Sequence, residues 1–567
     1  MTIYLIFLGL LCYYLALPPA ELAPLVLITP VCWAAAVQRP DPVRYRRIFF
    51  AAMLFWIASI WWIACPHPLI IAGLILLAAA LSCILLLFFI SARTAVHCFR
   101  VPLIIAVPVC WIGCEYIRCH LFGGFSFCAP EHAFYRFPCF LVPWAAVGGS
   151  MLVGGIIMLT GSCFVRFFSA KRRSEKLAAA VLILFFPLVS YDWYQDSFRK
   201  DSLHRTDAEI AALQGSSQIY LTDSPEQAEK NFLQFVELTY QLVNDRKKNG
   251  QPMPALIVIP ETVCPIPVLS FAEGVQPGDA GLTEEQARQW ETELRRFVDS
   301  IGLPVIFGVS TYIIDQEFAA DLKNALRNGE TGEDIMPQRR NSALLITPGG
   351  GHTPSPVYRY DKNELVMFGE YMPFADLLPK NFFIRTLCQE SGHGTEPLAV
   401  PIRSGQDAPL HASINICFES SVSHFIRRQI LTLRKRGDDP RVLINLSNDG
   451  WFRFLPQIEQ HLATHVFRAV ENRMWYVTST NSGLSAIISP YGKIIKIGKR
   501  GAAEAVCGVV GADLTKPAEV TVYQRIGDGY ALLCAVLVLV SVLTVLAGRS
   551  YFGAFPKDCP CGSTRRS

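Results

Sequence analysis

Residues Ala412 to Ser421 read ASINICFESS. Ile414 and Ile416 alternate with Ser413 and Asn415, the period of a strand, and the run stops at Cys417. Phe425, Ile426, Ile430 and Leu433 then recur at helical spacing, so a helix is expected to open close behind Cys417. A cysteine on a strand-to-helix turn lies near unpaired backbone N–H groups. Those groups and the helix dipole favour the thiolate, which is the nucleophilic form. Cys417 is therefore the candidate nucleophile. The competing reading is a cysteine that fills a core, as most do.

Two further groups fall at strand ends. Ala255 to Pro260 (ALIVIP) is an apolar run bounded by prolines, the pattern of a buried strand, and Glu261 follows it. A carboxylate just past the carboxyl end of such a strand is where α/β folds place chemistry; a surface glutamate is the bland alternative. Val357 to Asp361 pairs as a strand with Ser342 to Thr347, and Lys362 follows. A lysine beside a thiol lowers the thiol pKa and stabilises an oxyanion, although most lysines only meet solvent.

The elements around these residues alternate. Glu209 to Gln214 begins as a strand, and Pro225 to Asn249 is an amphipathic helix. Thr283 to Gln286 has the capping-box pattern, and Pro304 to Ser310 is a second buried strand. Residues 315–340 are polar and read as an exposed insertion. Gly349, Gly350 and Gly351 form a turn, not a phosphate loop, because no Lys-Ser/Thr follows. After Cys417 come a strand at Val442 to Leu446, a helix from Gln457 to Trp475 and strands at Tyr476 to Ser479 and Leu484 to Ser489. This alternation, with hairpins inserted, points to a layered α/β sandwich.

Only 17% of the 567 residues are charged and the mean hydropathy is +0.32, both typical of a membrane protein. The apolar runs give seven spans, at 3–17, 22–37, 48–65, 69–91, 101–117, 143–165 and 177–192, and an eighth at 530–547. The domains are thus 1–192, seven transmembrane helices; 193–527, a catalytic α/β domain; and 528–567, the eighth helix and a tail. Arg39, Arg44, Arg46, Arg47, Arg93, Arg100, Arg166 and Lys171 to Arg173 fall on one side of the spans; Arg118 and Arg136 fall in short loops on the other. That bias puts the amino terminus in the cytoplasm and residues 193–527 outside it. Glu115 and Arg118 read as a helix-end pair at the interface, or else as a polar contact to lipid headgroups or substrate, and the loop Leu121 to His132 as a segment on the membrane surface beneath the α/β domain. The 18 cysteines show no disulfide framework and no zinc spacing. Cys559 and Cys561 sit in the tail. A net charge of +4 without a basic stripe excludes a nucleic-acid partner.

Glu261, Lys362 and Cys417, in this order at successive strand ends, resemble the Glu-Lys-Cys triad of the nitrilase superfamily, whose fold is an αββα sandwich. With the spans, the chain resembles its membrane-bound branch, the bacterial apolipoprotein N-acyltransferases. ALQG at Ala212 to Gly215, Pro260-Glu261, K-x-x-L-V-x-F-G-E-Y from Lys362 to Tyr371, C-x-E from Cys417 to Glu419 and T-N-x-G from Thr480 to Gly483 resemble family motifs. So does Tyr523 to Gly527. Met367 stands where the family usually has proline, Asn363-Glu364 replaces a more basic pair and Phe418 replaces a common tyrosine. A tryptophan-containing segment after Gly215 is missing.

The resemblance implies transfer of an acyl chain from a membrane phospholipid to the amino group of a diacylated apolipoprotein, through a thioester on Cys417. Glu261 would be the base, and Lys362 with the Phe418 N–H would hold the oxyanion. Glu370 and Glu419 would hold Lys362 in place. No metal or organic cofactor is required, and the expected state is a monomer in the bacterial inner membrane with its catalytic domain in the periplasm. Phe452, Phe454, Leu455 and Pro456, and Phe374, Leu377, Leu378, Phe382 and Phe383, read as lids dipping into the interface, or else as packing against the spans. A membrane-tethered amidase acting on small amides carries the same triad and is the main alternative. A transporter would place ionisable groups within the spans, which these spans nearly lack.

Overall fold

The computed structural model describes residues 1–200, 206–217, 224–328, 335–349, 357–373, 388, 390–403, 408–452 and 456–551. The long apolar runs fold as helices: α1 Thr2–Ala16, α2 Ile28–Gln38, α3 Tyr45–Ile60, α4 Ile71–His97, α5 Leu103–His120, α6 Ala145–Ser169 and α7 Arg173–Lys200. Each expected span falls on such a helix. Among the described residues, 5 segments are long and apolar enough to cross a membrane: Tyr45–Ala64, Ile71–His97, Leu103–His120, Val142–Ser169 and Arg173–Asp196. Thr2–Ala16, Ala23–Gln38 and, near the carboxyl end, Gly529–Thr544 are apolar but shorter. Helix α7 runs past residue 192 to Lys200.

The chain then builds β1 Thr206–Gln214, α8 Pro225–Lys248, β2 Leu256–Val258, β3 Val268–Phe271, α9 Glu284–Ile301, β4 Val305–Ile314, α10 Gln316–Arg327, β5 Gln338–Ile346 and β6 Val357–Asp361. It continues with β7 Ala399–Ile402, β8 Leu410–Ile416, α11 Ser423–Lys435, β9 Val442–Asn448, α12 Gln457–Asn472, β10 Trp475–Asn481, β11 Ala486–Ile488, β12 Ile494–Ile497 and β13 Glu504–Ala512. The short α13 Val522–Ile526 leads into α14 Gly529–Tyr551.

The strands form two sheets. One has the order β13-β1-β2-β4-β5-β6, with β3 beside β4; the other has the order β12-β11-β10-β9-β8-β7. Alternation buries one face of each strand against the opposite sheet: Ile210, Val258 and Leu345 meet Ile414, Ile444 and Val477 in a single apolar cluster. The other face of the first sheet packs on Phe235 and Val243 of α8 and Leu294 and Val298 of α9. Thr283 caps α9 by accepting from Gln286 N, and the Gln286 side chain accepts from Thr283 N in return, as the sequence pattern requires. The other face of the second sheet joins Ile426 and Ile430 of α11 and Leu462 and Val466 of α12 in a cluster that also holds the amino-terminal helices.

Three expectations change. Residues 315–340 are not simply an insertion: Gln316–Arg327 is helical, and Ala319 packs with Val275, Ala280 and Ile314. The loop Leu121 to His132 is not spread on a surface. Phe127 and Cys128 are buried, and the Ser126 hydroxyl donates to the Ser421 carbonyl at 2.7 Å, beneath the nucleophile turn. Glu115 and Arg118 do pair, at 2.5 Å, but both are buried, which differs from an interfacial pair.

Helix α6 is broken near its start by Gly148 (φ −140°, ψ 24°) and Gly149 (φ 72°, ψ −179°). A Cβ on Gly149 would lie 2.8 Å from the Tyr523 ring. The N–H freed at Ser150 donates to Glu471 Oε1 of α12 at 2.8 Å.

Candidate active site

The carboxyl ends of β2, β6, β8 and β9 meet at one edge of the two sheets. Glu261 follows β2, Lys362 follows β6, Cys417 follows β8, and Asn448 closes β9. Gly308 on β4 is what lets Glu261 reach this edge. A Cβ there would lie 2.2 Å from Pro260 O and 2.6 Å from Glu261 Cα, so only glycine admits the crossing backbone.

Glu261 is buried and held by three donors. Its Oε1 accepts from Asn341 Nδ2 at 2.7 Å and from Lys362 Nζ at 3.3 Å; its Oε2 accepts from Asn448 N at 2.9 Å. A carboxylate oxygen has two lone-pair sites, so Oε2 keeps one for an incoming proton. Lys362, 1% exposed, also donates to Glu370 Oε1 at 2.9 Å. Asn341 bridges the two carboxylates, donating to Glu370 Oε1 at 3.1 Å, and Val366 N fixes Glu370 Oε2 at 2.9 Å. Burial alone would lower the Lys362 ammonium, but Glu370, Glu261 and Cys417 together raise it, so it stays charged. For Glu370, burial pushes up and Lys362 pulls down; the ammonium wins and the carboxyl lies below its usual value.

Cys417 sits at φ 51°, in the left-handed region, on a sharp turn. It keeps part of its surface open. The turn is a 3-10 segment, Cys417–Ser421, and α11 begins only at Ser423. The expected thiolate is therefore not stabilised by a helix end. Burial raises the Cys417 thiol well above its ordinary value, and Glu261 and Asp449 raise it further; Lys362 and the Ser447 hydroxyl only partly offset them. Two carboxylates, Glu261 and Glu370, surround one ammonium, so the local charge opposes a second anion. The thiol is held protonated, and attack needs a base.

Glu419 does not hold the lysine ammonium. Its carboxylate accepts from Tyr360 Oη at 2.8 and 2.9 Å, from Asn363 N at 2.6 Å, from Glu364 N at 3.1 Å and from Ile416 N at 2.6 Å. It ties the end of β6 to the end of β8 and so sets the lysine and cysteine backbones relative to one another. Burial outweighs these donors and raises its carboxyl to about 7. Phe418 packs beside the amino-terminal cluster. Asn341, Asn448 and Tyr360 were not singled out from the sequence. The one signal was position, and only for two of them: Tyr360 and Asn448 lie at or next to a strand end, whereas Asn341 lies inside β5.

Of the apolar lid residues, Phe374, Leu377, Leu378, Phe382, Phe383, Phe454 and Leu455 lie outside the described residues, as do Gly350, Gly351, Cys559 and Cys561. Phe452 packs edge-on against Trp62, with centroids 5.0 Å apart at 82°, so this part of the loop rests on the helical half. Among the described residues, one group has metal-ligand character: His120, His424 and Asp528, with ligand atoms within 4.8 Å of one another. The two imidazoles lie face to face, 4.3 Å apart at 18°, so their in-plane lone pairs run side by side and do not converge. His120 Nε2 instead faces Asp528 Oδ2 at 3.6 Å, joining α5 to the start of α14.

Residues 211–515 match the family model described as carbon-nitrogen hydrolase. The chain belongs to the carbon-nitrogen hydrolase family. In the helical half of this carbon-nitrogen hydrolase family member, residues 9–163 match the model of the apolipoprotein N-acyltransferase N-terminal domain. The chain is 25% identical to apolipoprotein N-acyltransferase 1 of Treponema denticola over 88% of its own length and 87% of that protein's. It is 26% identical to the apolipoprotein N-acyltransferase of Geobacter metallireducens over 89% of each chain. An amidase from Nesterenkonia sp. aligns with 55% of this chain and 93% of its own, at 14% identity and a TM-score of 0.33. The resemblance read from the motifs therefore holds across both halves of the protein, and with its apolar helices this is a membrane enzyme.

Proposed function

We propose that the protein transfers an acyl chain from a membrane phospholipid to the α-amino group of a diacylated amino-terminal cysteine on an apolipoprotein, through a thioester on Cys417. The observation that carries this reading is the constellation at the sheet edge: a protonated thiol on a strained turn, a carboxylate with a free lone pair and a charged, fully buried lysine. The relatives' names support an apolipoprotein as the acceptor and an N-acyl group as what is transferred; the phospholipid donor follows from the family resemblance. The helix–sheet–sheet–helix packing supports the αββα arrangement of the family, and eight apolar helices support eight spans. The arginine distribution supports a periplasmic catalytic domain in the inner membrane.

Cys417 Sγ attacks the ester carbonyl of the donor while Glu261 Oε2 takes the thiol proton. The carbonyl oxygen becomes an oxyanion against Lys362 Nζ and the Phe418 N–H. Collapse breaks the ester C–O bond, and Glu261 returns the proton to the departing lysophospholipid alkoxide. The acceptor amine then attacks the thioester, Glu261 takes its proton, and collapse of the second tetrahedral intermediate expels the thiolate, which recovers that proton. Glu370 holds Lys362, and Glu419 holds the backbones beside it.

Mass spectrometry of protein incubated with phospholipid tests this directly. An acyl adduct on Cys417 that a lipopeptide amine discharges supports it. No adduct there, or discharge to water at the same rate with and without the amine, removes it. Cys417→Ser is expected to abolish turnover. Glu261→Gln and Lys362→Ala are expected to lose about 100-fold or more in adduct formation.

A further inference from the structure

Behind the nucleophile turn lies a buried polar chain that none of the steps above uses. Ser420, His461 and Asp449 are 0%, 1% and 2% exposed. His461 Nδ1 faces Asp449 Oδ1 at 3.2 Å, and His461 Nε2 faces Ser420 Oγ at 2.9 Å. The order Asp-His-Ser looks like a hydrolytic triad, but Ser420 is sealed from any substrate. Its hydroxyl instead donates to the Cys417 carbonyl at 2.8 Å.

That carbonyl belongs to the peptide joining Cys417 to Phe418. The peptide is planar and trans, so its C=O and N–H point in opposite directions. Fixing the carbonyl from behind therefore aims the Phe418 N–H forwards, towards the place where the oxyanion forms. Asn445 Nδ2, at 3.2 Å from the same carbonyl, is the second restraint. Ser420 has one hydroxyl proton and two acceptors in reach, the carbonyl and His461 Nε2. The hydroxyl proton goes to the carbonyl, and His461 Nε2 faces the hydroxyl oxygen. His465 Nε2, 3.1 Å from Ser420 Oγ, faces the remaining lone pair.

The far end of the chain is equally fixed. Asp449 Oδ1 also accepts from Gln457 Nε2 at 3.0 Å and from Ser447 Oγ at 3.3 Å. One turn along α12, Gln460 accepts from Trp62 Nε1 at 3.2 Å and donates to the Ser59 carbonyl at 3.2 Å. The helix that carries His461 is thus anchored on the last turn of α3 and the 3-10 turn, Trp61–Ala64, that follows it.

We propose that Asp449, His461 and Ser420 are positioning residues that hold the Cys417–Phe418 peptide plane and so aim the oxyanion-binding N–H, with their anchor on the helical half of the protein. This rests on the acyl-transfer reading above.

Two rates on the same cysteine separate aiming from mere structure. Acylation of Cys417 passes through an oxyanion; alkylation of its sulfur by iodoacetamide does not. Ser420→Ala is expected to slow acylation roughly 10- to 100-fold, somewhat less than the roughly 100- to 1000-fold of deleting an oxyanion donor outright, while alkylation stays within about twofold. His461→Ala is expected to match it, and the double variant to be no slower than either single one, because both cut the same chain. Acylation at the wild-type rate in Ser420→Ala, or acylation and alkylation falling together, overturns the proposal. So does a double variant whose losses multiply. Both a phospholipid and an activated p-nitrophenyl ester serve as donors. If wild-type protein takes an acyl group from the ester and not from the phospholipid, the substrate reading falls and the ester still reads the chain; if it takes none from either, both fall.

Discussion

Helices α9 and α12 cover opposite faces of the two-sheet core, and they do so by different physics. Helix α9 buries Ala287, Leu294, Val298 and Ile301 and leaves its polar face in water. Helix α12 buries every residue from Gln457 to Asn472 except Glu459. Both sequences read as amphipathic, with charged residues at helical spacing. The difference lies in what stands outside them. Solvent faces α9, whereas α3, α6 and the loop from 121 to 141 close over α12, so its polar groups must find partners: Arg468 with Glu471 at 2.8 Å, and His461 with Asp449 at 3.2 Å. A polar face can thus mark a water boundary or a docking seam, and only the partner decides which.

The comparison is broken most severely at Arg468. Arg468→Ala leaves Glu471 buried without its cation and is expected to cost about 3–5 kcal/mol, read as a lower midpoint of thermal unfolding in detergent. The pH response comes next. Burial raises Glu471 and Glu419 to about 7 and Glu131 to about 8, from an ordinary 4.5. The folded state therefore holds protons that the unfolded chain has already released. The stability from these groups is full below about 4.5 and declines as pH rises through about 7 to 8. A midpoint that instead climbs steadily from pH 5 to 8 would contradict these shifts. Gln460→Ala strands the Trp62 N–H at the seam and is expected to cost about 1–3 kcal/mol. The smallest effect belongs to α9: Arg295→Ala removes a partly buried pair with Glu291 at 2.7 Å and is expected to cost no more than about 1 kcal/mol.

Much of this molecule can be read from its residues, for definite reasons. The strand before Glu261 is an apolar run bounded by prolines, and the strand before Cys417 alternates Ile414 and Ile416 with Ser413 and Asn415; patterns of either kind have few other uses. The apolar helices are legible because a long run without charge needs a nonpolar surround. The thiolate expectation fails because burial raises the Cys417 thiol first, and Glu261 and Asp449, which approach from 156 and 32 residues away only after folding, raise it further. Asn341 was invisible for the same reason: a lone asparagine inside a strand carries no local sign that two carboxylates will meet it. The resemblance places Glu419 on the lysine, yet a motif cannot show which way a carboxylate turns, and it turns to Tyr360 and the backbone.

The break in α6 makes the helical half depend on the α/β half. A freed amide away from water must be satisfied by protein. At Ser150 the acceptor is Glu471, more than three hundred residues further along the chain. The opening turn of the sixth helix is thus closed by a side chain of the α/β half, so a change at Glu471 reaches into the apolar helices as well as the sheet it lies on.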